Sequence, residues 1–565
     1  MELGLLEPDS SPKFVEKIGC DMIIDARSLA NDHTINTDIC IVGAGVAGIT
    51  LARELATWQF RICILESGGL KAEKETQSLY QGENVGHPYY PLDTARGRQF
   101  GGSSSRWLLE LGEGRIGGRL HPLSQIDFDQ RDWVPYSGWP FDKTHLDPYY
   151  ERAQSVCKAG PYSYDAKDWE DKQRNPTLPL VGGRVKTVIY QGVDRDVFGK
   201  DYKGELVQAD DITVYLHANV LEVETSENGQ RVTRLRVACL HGNEFWATAK
   251  IFVLAVGGIE TPRLLLLSNK TYSTGLGNQN DLVGRFFMEH PHLWSGLFIP
   301  SDPGVFRSAM MYGVHIVKSV PIIGQLTLEE DVMRREKLLN YSVCLLPGAR
   351  PRTSGGQRAL TTGIHTLQAL AGALGRRDLN EFNRHLSTLF PVVNNLSIAA
   401  YRRAMRVMNK LFKVRKFEVF LLNHMVEQVP NPNSRVSLGN ERDAFGQNRV
   451  RLDWRLTPID IRSIIRSQEI IDEELRQAGL GSLLIDLKGE TPPPELHGGW
   501  HHMGTTRMHI DPKKGVVNEN LQVHGLSNLY IAGPSVFPTS GCANPALTIV
   551  AVTLRLADHL KKVMK

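Results

Sequence analysis

Two groups of residues in this 565-residue chain have types and spacings suited to chemistry. The first is Gly43, Gly45 and Gly48, a G-x-G-x-x-G within TDICIVGAGVAGITLARELATWQFRICILES from Thr37 to Ser67. At a phosphate the three glycines divide the work: the first lets the chain turn tightly, the second lets backbone approach a pyrophosphate, and the third lets helix and strand pack closely. Glu66 follows 18 residues after Gly48, where a carboxylate accepts hydrogen bonds from adenosine ribose hydroxyls and repels a phosphorylated ribose. The second group is His497, His501, His502 and His509. Imidazole suits proton abstraction near neutral pH, and H-x-x-x-H on a helix can bind zinc. Gly498 and Gly499 oppose a helix here, so no functional metal is expected. Vicinal histidines also occur as ordinary hydrogen-bonded core groups.

The elements that must position these residues are partly visible. Both ends of the Thr37–Ser67 segment are short apolar runs rich in Ile, Val and Cys, as buried parallel strands are. Between them Ala47 to Trp58 carries the apolar spacing of a helix packed on a sheet, with phosphate at its N-terminus. This motif does not separate FAD from NAD. The length requires two or more domains, or interleaved lobes, and 41% hydrophobic with 22% charged residues is a globular composition. A net charge of +3 from 65 basic and 62 acidic residues draws neither nucleic acid nor anionic lipid. No apolar run reaches the roughly 18 residues of a membrane-spanning helix, and the opening MELGLLEPDSSPKFVEKIGC lacks the plan of a signal peptide. The expectation is no transmembrane segment, no nucleic-acid partner and a cytoplasmic location. Seven scattered cysteines without C-x-x-C spacing suit neither a disulfide framework nor a zinc cluster.

Five further segments follow: GRQFGGSSSRW (Gly97–Trp107), FVLAVGGIETPRLLLLSN (Phe252–Asn269), DLVGRFFMEHP (Asp281–Pro291), WHHMGTTRM (Trp500–Met508) and NLYIAGPSVFPTSGCANPALTIVAVTLRLADHL (Asn528–Leu560). In that order and at those separations they resemble the glucose-methanol-choline oxidoreductase family, FAD enzymes that oxidise primary or secondary alcohols. The resemblance spans nearly the whole chain after residue 37 and is weakest from about 300 to 420.

The resemblance implies FAD held by Gly43, Gly45, Gly48, Glu66, Ser67 and Arg98 and by the run Gly101, Gly102, Ser103 and Ser104, whose small side chains expose backbone amides beside the pyrophosphate and ring. Trp107 belongs to the same set; Asn219 and Val220 would grip adenine, Gly257 and Gly258 would let a strand end near the adenosine, and Gly533 would meet the pyrophosphate again. Asn544 and Pro545 would start a helix whose amides face the pyrimidine side of the flavin and stabilise the negative charge that reduction leaves there. The H-x-x-G-T pattern selects His501 as the base, with Asn544 hydrogen-bonding the same substrate oxygen without competing for its proton. Proton removal then makes the carbinol C–H a better hydride donor toward flavin N5.

Two positions depart from the family. Arg106 stands where some members carry a flavin-linking histidine, so noncovalent FAD is expected. Trp107 resembles the pyranose oxidase branch and favours a small-molecule alcohol of the sugar or polyol class over aliphatic or aromatic alcohols. The alternative is a lyase or another non-redox flavoprotein on the same scaffold. The electron acceptor, oxygen or another, is left open.

The expected fold is α/β: a discontinuous Rossmann-like FAD-binding domain from residues 37–130, 210–295 and 496–565, with an α+β substrate domain from 131–209 and 296–495 that contains an antiparallel sheet. Residues 1–36 form an N-terminal extension able to wrap the FAD lobe. Alternation around a glycine-containing turn from Ser434 to Thr457 predicts antiparallel strands, read as a sheet roofing the flavin. Helices are expected at 361–375, 379–390 and 397–413, and GARPRTSGGQR from Gly348 to Arg358 reads as a mobile loop able to gate the pocket.

Overall fold

The computed structural model describes residues 22–348 and 418–565. The apolar runs flanking the glycine motif form the strands Ile39–Val42 and Ile62–Leu65, every residue buried, as strands covered on both faces by helices must be. They pair in parallel, Ile39 with Ile62 through Val42 with Leu65. Helix Val46–Leu55, extended by a 3-10 turn over Ala56–Trp58, connects them. The complete six-stranded sheet is parallel throughout, in the order Ile23–Asp25, Ile212–Leu216, Ile62–Leu65, Ile39–Val42, Ile251–Leu254 and Leu529–Ile531. Its C-terminal helix, Ala546–Val563, packs on Val46–Leu55 and on Lys143–Val156.

A four-stranded sheet joins Asn219–Thr225, Val232–Ala238, Glu244–Thr248 and Thr34–Asn36. The described part of the N-terminal extension therefore gives one edge strand to each of these two sheets. Among the described residues no helix is long and apolar enough to cross a membrane.

The second lobe is built on a ten-stranded sheet whose pairings are all antiparallel. One face packs on helix Pro458–Gln477 around Phe298, Leu326, Val343, Leu422 and Ile464. A capping box of Thr457 and Asp460 fixes the start of that helix. Register neighbours share a face, so the pairs Arg119–Gly192, Tyr190–Ile323, Cys344–Asn423 and Met425–His292 place these side chains together on the opposite face. A small separate cluster of Tyr190, Ile323 and Met425 lies there. The hairpin Leu109–Gly112 and Arg115–Leu120, numbered within the nucleotide lobe, pairs with Val185–Asp194 in this sheet.

The alternating segment after Ser434 does form antiparallel strands, Arg435–Arg442 and Asn448–Asp453, but they do not join the large sheet. They make a separate three-stranded sheet with Gly82–Asn84. Alternation specifies a strand and not its partner; here the open edge is filled by Gly82, where an added Cβ would lie 2.3 Å from the Val450 carbonyl oxygen. The expected helices at 361–375, 379–390 and 397–413, and the loop after Gly348, lie outside the described residues.

Candidate active site

The glycine segments converge at the carboxyl ends of the parallel strands, where ligands bind in open α/β sheets. A Cβ on Gly48 would lie 1.9 Å from the Gly43 carbonyl oxygen, and one on Gly102 (φ 57°) would lie 3.0 Å from Gly45 Cα. The Gly101–Gly102 turn is therefore laid directly over the Gly43–Gly48 turn, tied by Gly101 N–H donating to the Ala44 carbonyl at 2.8 Å. Gly45 caps helix Val46–Leu55 without a side-chain hydrogen bond, which leaves first-turn amides for an anion. Gly48→Val should lower the flavin content of the purified protein at least about tenfold, a loss of about 1.4 kcal/mol in cofactor affinity. Visible absorbance per chain measures it, and wild-type colour would refute it.

Glu66 accepts the amides of Ala44 and Gly68, one on each oxygen, at 2.8 Å each. It thus braces the glycine turn; Oε1 also accepts the Ser67 hydroxyl at 3.4 Å, and Oε2 keeps a lone pair for a ribose hydroxyl. Burial raises its carboxyl above the ordinary value. Ser67 and Asn219 line a cavity of about 290 Å³ with Thr76 and His217. Asn219 and Val220 begin the strand Asn219–Thr225, and the Asn219 amide is spent within the protein: Arg98 donates to its oxygen at 3.0 Å, and its nitrogen donates to the carbonyls of His217 and Ala238. Arg98 Nε is buried without a partner, a donor directed at this region. Ser103 and Ser104 brace their own loop, Ser103 Oγ accepting from Gly97 N–H and Ser104 Oγ donating to the Gly101 carbonyl. Gly257 and Gly533 follow the adjacent strands Ile251–Leu254 and Leu529–Ile531. Pro545 caps helix Ala546–Val563 with no side-chain bond. Two glycine turns without Cβ atoms, two uncapped helix starts and an orphaned guanidinium nitrogen fit a dinucleotide such as FAD.

His501 and Asn544 meet: Asn544 Nδ2 lies 3.1 Å from His501 Nε2. The hydrogen bonds fix which atoms carry protons. Arg119 Nε donates to Asn544 Oδ1 at 3.1 Å, so the Asn544 nitrogen is the end facing His501 and donates to Nε2. His501 therefore holds a lone pair on Nε2 and its proton on Nδ1, which donates to His290 Nδ1 at 2.8 Å. His290 in turn donates from Nε2 to the Ser540 carbonyl at 3.2 Å. Burial, then the neighbouring His290, Arg119 and His502, hold the His501 imidazole neutral, its pKa well below the ordinary value. Burial brings His290 down to about 4.

Glu289 sets the loop that carries His501. Its Oε2 accepts the amides of His290, Gly499 and His501 at 3.1, 3.0 and 3.0 Å. Its Oε1 accepts the hydroxyl of Tyr89, which leaves the Tyr89 oxygen to accept from His502 Nε2 at 2.8 Å. His502 thus points away from Asn544, as vicinal side chains must. Trp500, between two of the bound amides, has φ of 61°, a conformation that costs a bulky residue about 1–3 kcal/mol and persists where its surroundings over-determine it. The Glu289 carboxylate, gripping both flanking amides, supplies that constraint. Burial pushes its carboxyl up to about 7.

Trp107 lays its indole over Gly118, where a Cβ would come within 2.8 Å of the ring; this places Trp107 beside the Arg119 strand. Among the described residues no group of three or more His, Cys, Asp or Glu is arranged to hold a metal ion. Sequence reasoning missed Arg119, Tyr89, Glu289 and His290. Glu289 and His290 lie inside the quoted segment DLVGRFFMEHP, yet nothing in their spacing tied them to His501.

A parallel nucleotide-binding sheet joined to a large antiparallel sheet, with a neutral imidazole and an amide between them, defines the class of FAD-dependent oxidoreductases. The comparisons agree: the model described as FAD dependent oxidoreductase matches residues 38–274, and that described as GMC oxidoreductase matches 430–553. The chain is thus similar to the GMC, or glucose-methanol-choline, oxidoreductases in its C-terminal segment and to FAD dependent oxidoreductases in its N-terminal half. It is 27% identical to 2-methyl-1,2-propanediol dehydrogenase of Mycolicibacterium austroafricanum over 93% of this chain and 95% of that one. It is 24% identical to paromamine 6'-oxidase of Streptomyces fradiae, covering 92% and 90%. Among solved structures, Aspergillus oryzae RIB40 formate oxidase has the same fold, with a TM-score of 0.51 at 17% identity over 94% of this chain and 99% of that one.

Proposed function

We propose that this protein oxidises the hydroxyl of a small-molecule alcohol to a carbonyl, with His501 as the base and Asn544 holding the reacting oxygen, and that sugars or polyols are preferred. The observation that carries this reading is the His501 Nε2 lone pair facing the Asn544 amide 3.1 Å away. A hydroxyl inserted between them donates its proton to Nε2 while its oxygen accepts from Asn544 Nδ2. Bound FAD supplies the hydride acceptor, at N5 of its ring. As His501 gains the proton, its Nδ1–H bond to His290 strengthens and keeps the ring in place. Relatives named for a propanediol and for paromamine support an alcohol, and unpartnered Asn423 Oδ1 and His292 Nε2 on the facing sheet support a polyhydroxylated one. The lobes that meet here are the discontinuous nucleotide lobe and the substrate lobe set out above.

The test is anaerobic mixing of holoenzyme with a panel of alcohols. A substrate must discharge the flavin colour without oxygen, which neither a lyase nor a non-redox flavoprotein requires. A panel of sugars, polyols and simple alcohols that leaves the colour intact would defeat the reading.

The cofactor is held noncovalently in this proposal. Arg106 donates from Nη1 to the Thr94 carbonyl at 2.9 Å, and a guanidinium cannot form the histidyl link that some relatives carry there. Acid precipitation should leave the yellow chromophore in the supernatant; colour retained in the pellet would contradict this. The cytoplasmic location is supported by six cysteines that are unpaired thiols among the described residues.

A further inference from the structure

Arg119 is a cation in the catalytic centre that the protein leaves without a counter-charge. Its Nε is committed to Asn544 Oδ1. Its two outer nitrogens face sulfur atoms, Cys344 Sγ at 3.1 Å and Met425 Sδ at 3.4 Å, which are weak acceptors. Its plane lies over the Tyr190 ring at 5.3 Å. No carboxylate oxygen among the described residues lies within 4.0 Å of it. Several buried arginines elsewhere are ion-paired, Arg96 and Arg263 with Glu260 and Arg131 with Glu427; Arg507, also buried, is not. A partly buried guanidinium with two nitrogens on thiol and thioether has only weak protein acceptors for them, and its planar fork is shaped to take a carboxylate bidentately.

We propose that Arg119 receives an anionic group of the substrate, and that the alcohol this enzyme oxidises is a hydroxy acid whose carboxylate lies close to the carbinol carbon. The two groups share a neighbourhood. The same guanidinium that would bind the carboxylate already touches the amide that would hold the reacting oxygen, so one small molecule can meet both. The Glu289 carboxylate does not compete for Arg119, because its oxygens are taken by three backbone amides and Tyr89. This inference rests on the alcohol-oxidation reading above and moves its substrate class from neutral sugars and polyols to hydroxy acids, sugar acids among them.

The experiment compares matched pairs, a hydroxy acid and its primary amide on the same carbon skeleton, by anaerobic stopped-flow reduction of the holoenzyme. For the wild type the acid should exceed the amide in reduction rate over dissociation constant by about tenfold to a hundredfold, the range of one or two charge-assisted hydrogen bonds. Arg119→Gln should bring that ratio to about one, while Arg119→Lys retains part of it. Because the readout is a ratio within each enzyme, a general slowing caused by a displaced Asn544 cancels. Glycolate should also compete against a neutral alcohol in the wild type, where glycolamide does not. Amides reacting as well as acids would overturn the inference. So would Arg119→Gln slowing both members by one factor, since Arg119 would then merely support Asn544. If no alcohol of any charge discharges the flavin, the proposed function itself fails; if neutral alcohols do and acids gain nothing, only this inference does.

Discussion

His501→Ala should slow the anaerobic reduction of bound flavin by alcohol by about 10²–10⁴-fold, the range that a positioned general base supplies. The cofactor should stay bound, since the imidazole contacts Asn544 and His290 and none of the glycine turns. His502 cannot take its place, because it is turned to Tyr89. The wild type carries a matching pH signature. A histidine whose pKa is held below the ordinary 6.5 keeps its lone pair as pH falls, so the reduction rate should stay on its plateau below pH 6.5 and decline only in more acid solution. Near wild-type reduction by the alanine variant, or a rate that halves near pH 6.5, would remove His501 from the role of base.

Arg131→Met is expected to cost about 3–5 kcal/mol of stability, the penalty for stranding one member of a buried ion pair. Arg131 and Glu427 are fully buried and bound through two hydrogen bonds, Nη2 to Oε1 at 2.5 Å and Nη1 to Oε2 at 2.8 Å. The pair anchors a network beneath the segment that carries Asn544. Glu427 also accepts the Asn340 amide at 3.0 Å, the Asn340 side chain donates to Asp127, and Cys542 Sγ donates to Asn340 Oδ1 at 3.3 Å. Asp127 already titrates high, up to about 7, through burial and then the Glu427 charge. Removing the guanidinium leaves two carboxyl groups with no cation between them. Thermal unfolding should show a far larger fall than Arg27→Met, whose exposed pair with Asp25 is worth at most about 1 kcal/mol. Adding Glu427→Leu to Arg131→Met should recover part of the loss. Equal melting temperatures for the buried and exposed variants would show that the pair contributes nothing.

The nucleotide fold was legible because its signals are local. Buried parallel strands read as apolar runs, the Gly43–Gly48 turn has a steric signature, and the helix between was placed within a few residues of Val46–Leu55. Single members of the site were legible too, since His501 and Asn544 lie in segments with distinctive neighbours. Their support was not, because sheet register and not spacing brings it together. Arg119 is 425 residues from Asn544, and His290 is 211 from His501. Arg119 reaches the site because its hairpin pairs with Val185–Asp194, a choice that the alternation of neither strand specifies. The same gap misplaced the Ser434–Thr457 hairpin: its pattern gave two strands correctly and said nothing of Gly82–Asn84 as the third.

The line of imidazoles has a blind end. It runs inward from the substrate side and stops at the Ser540 backbone oxygen, which has no hydrogen to hand on and no basicity to keep one. Nothing beyond it drains to water along that line. In the role proposed for His501, a captured proton would spread over two rings without an exit behind them, and would stay as a stored positive charge until it left on the Asn544 side.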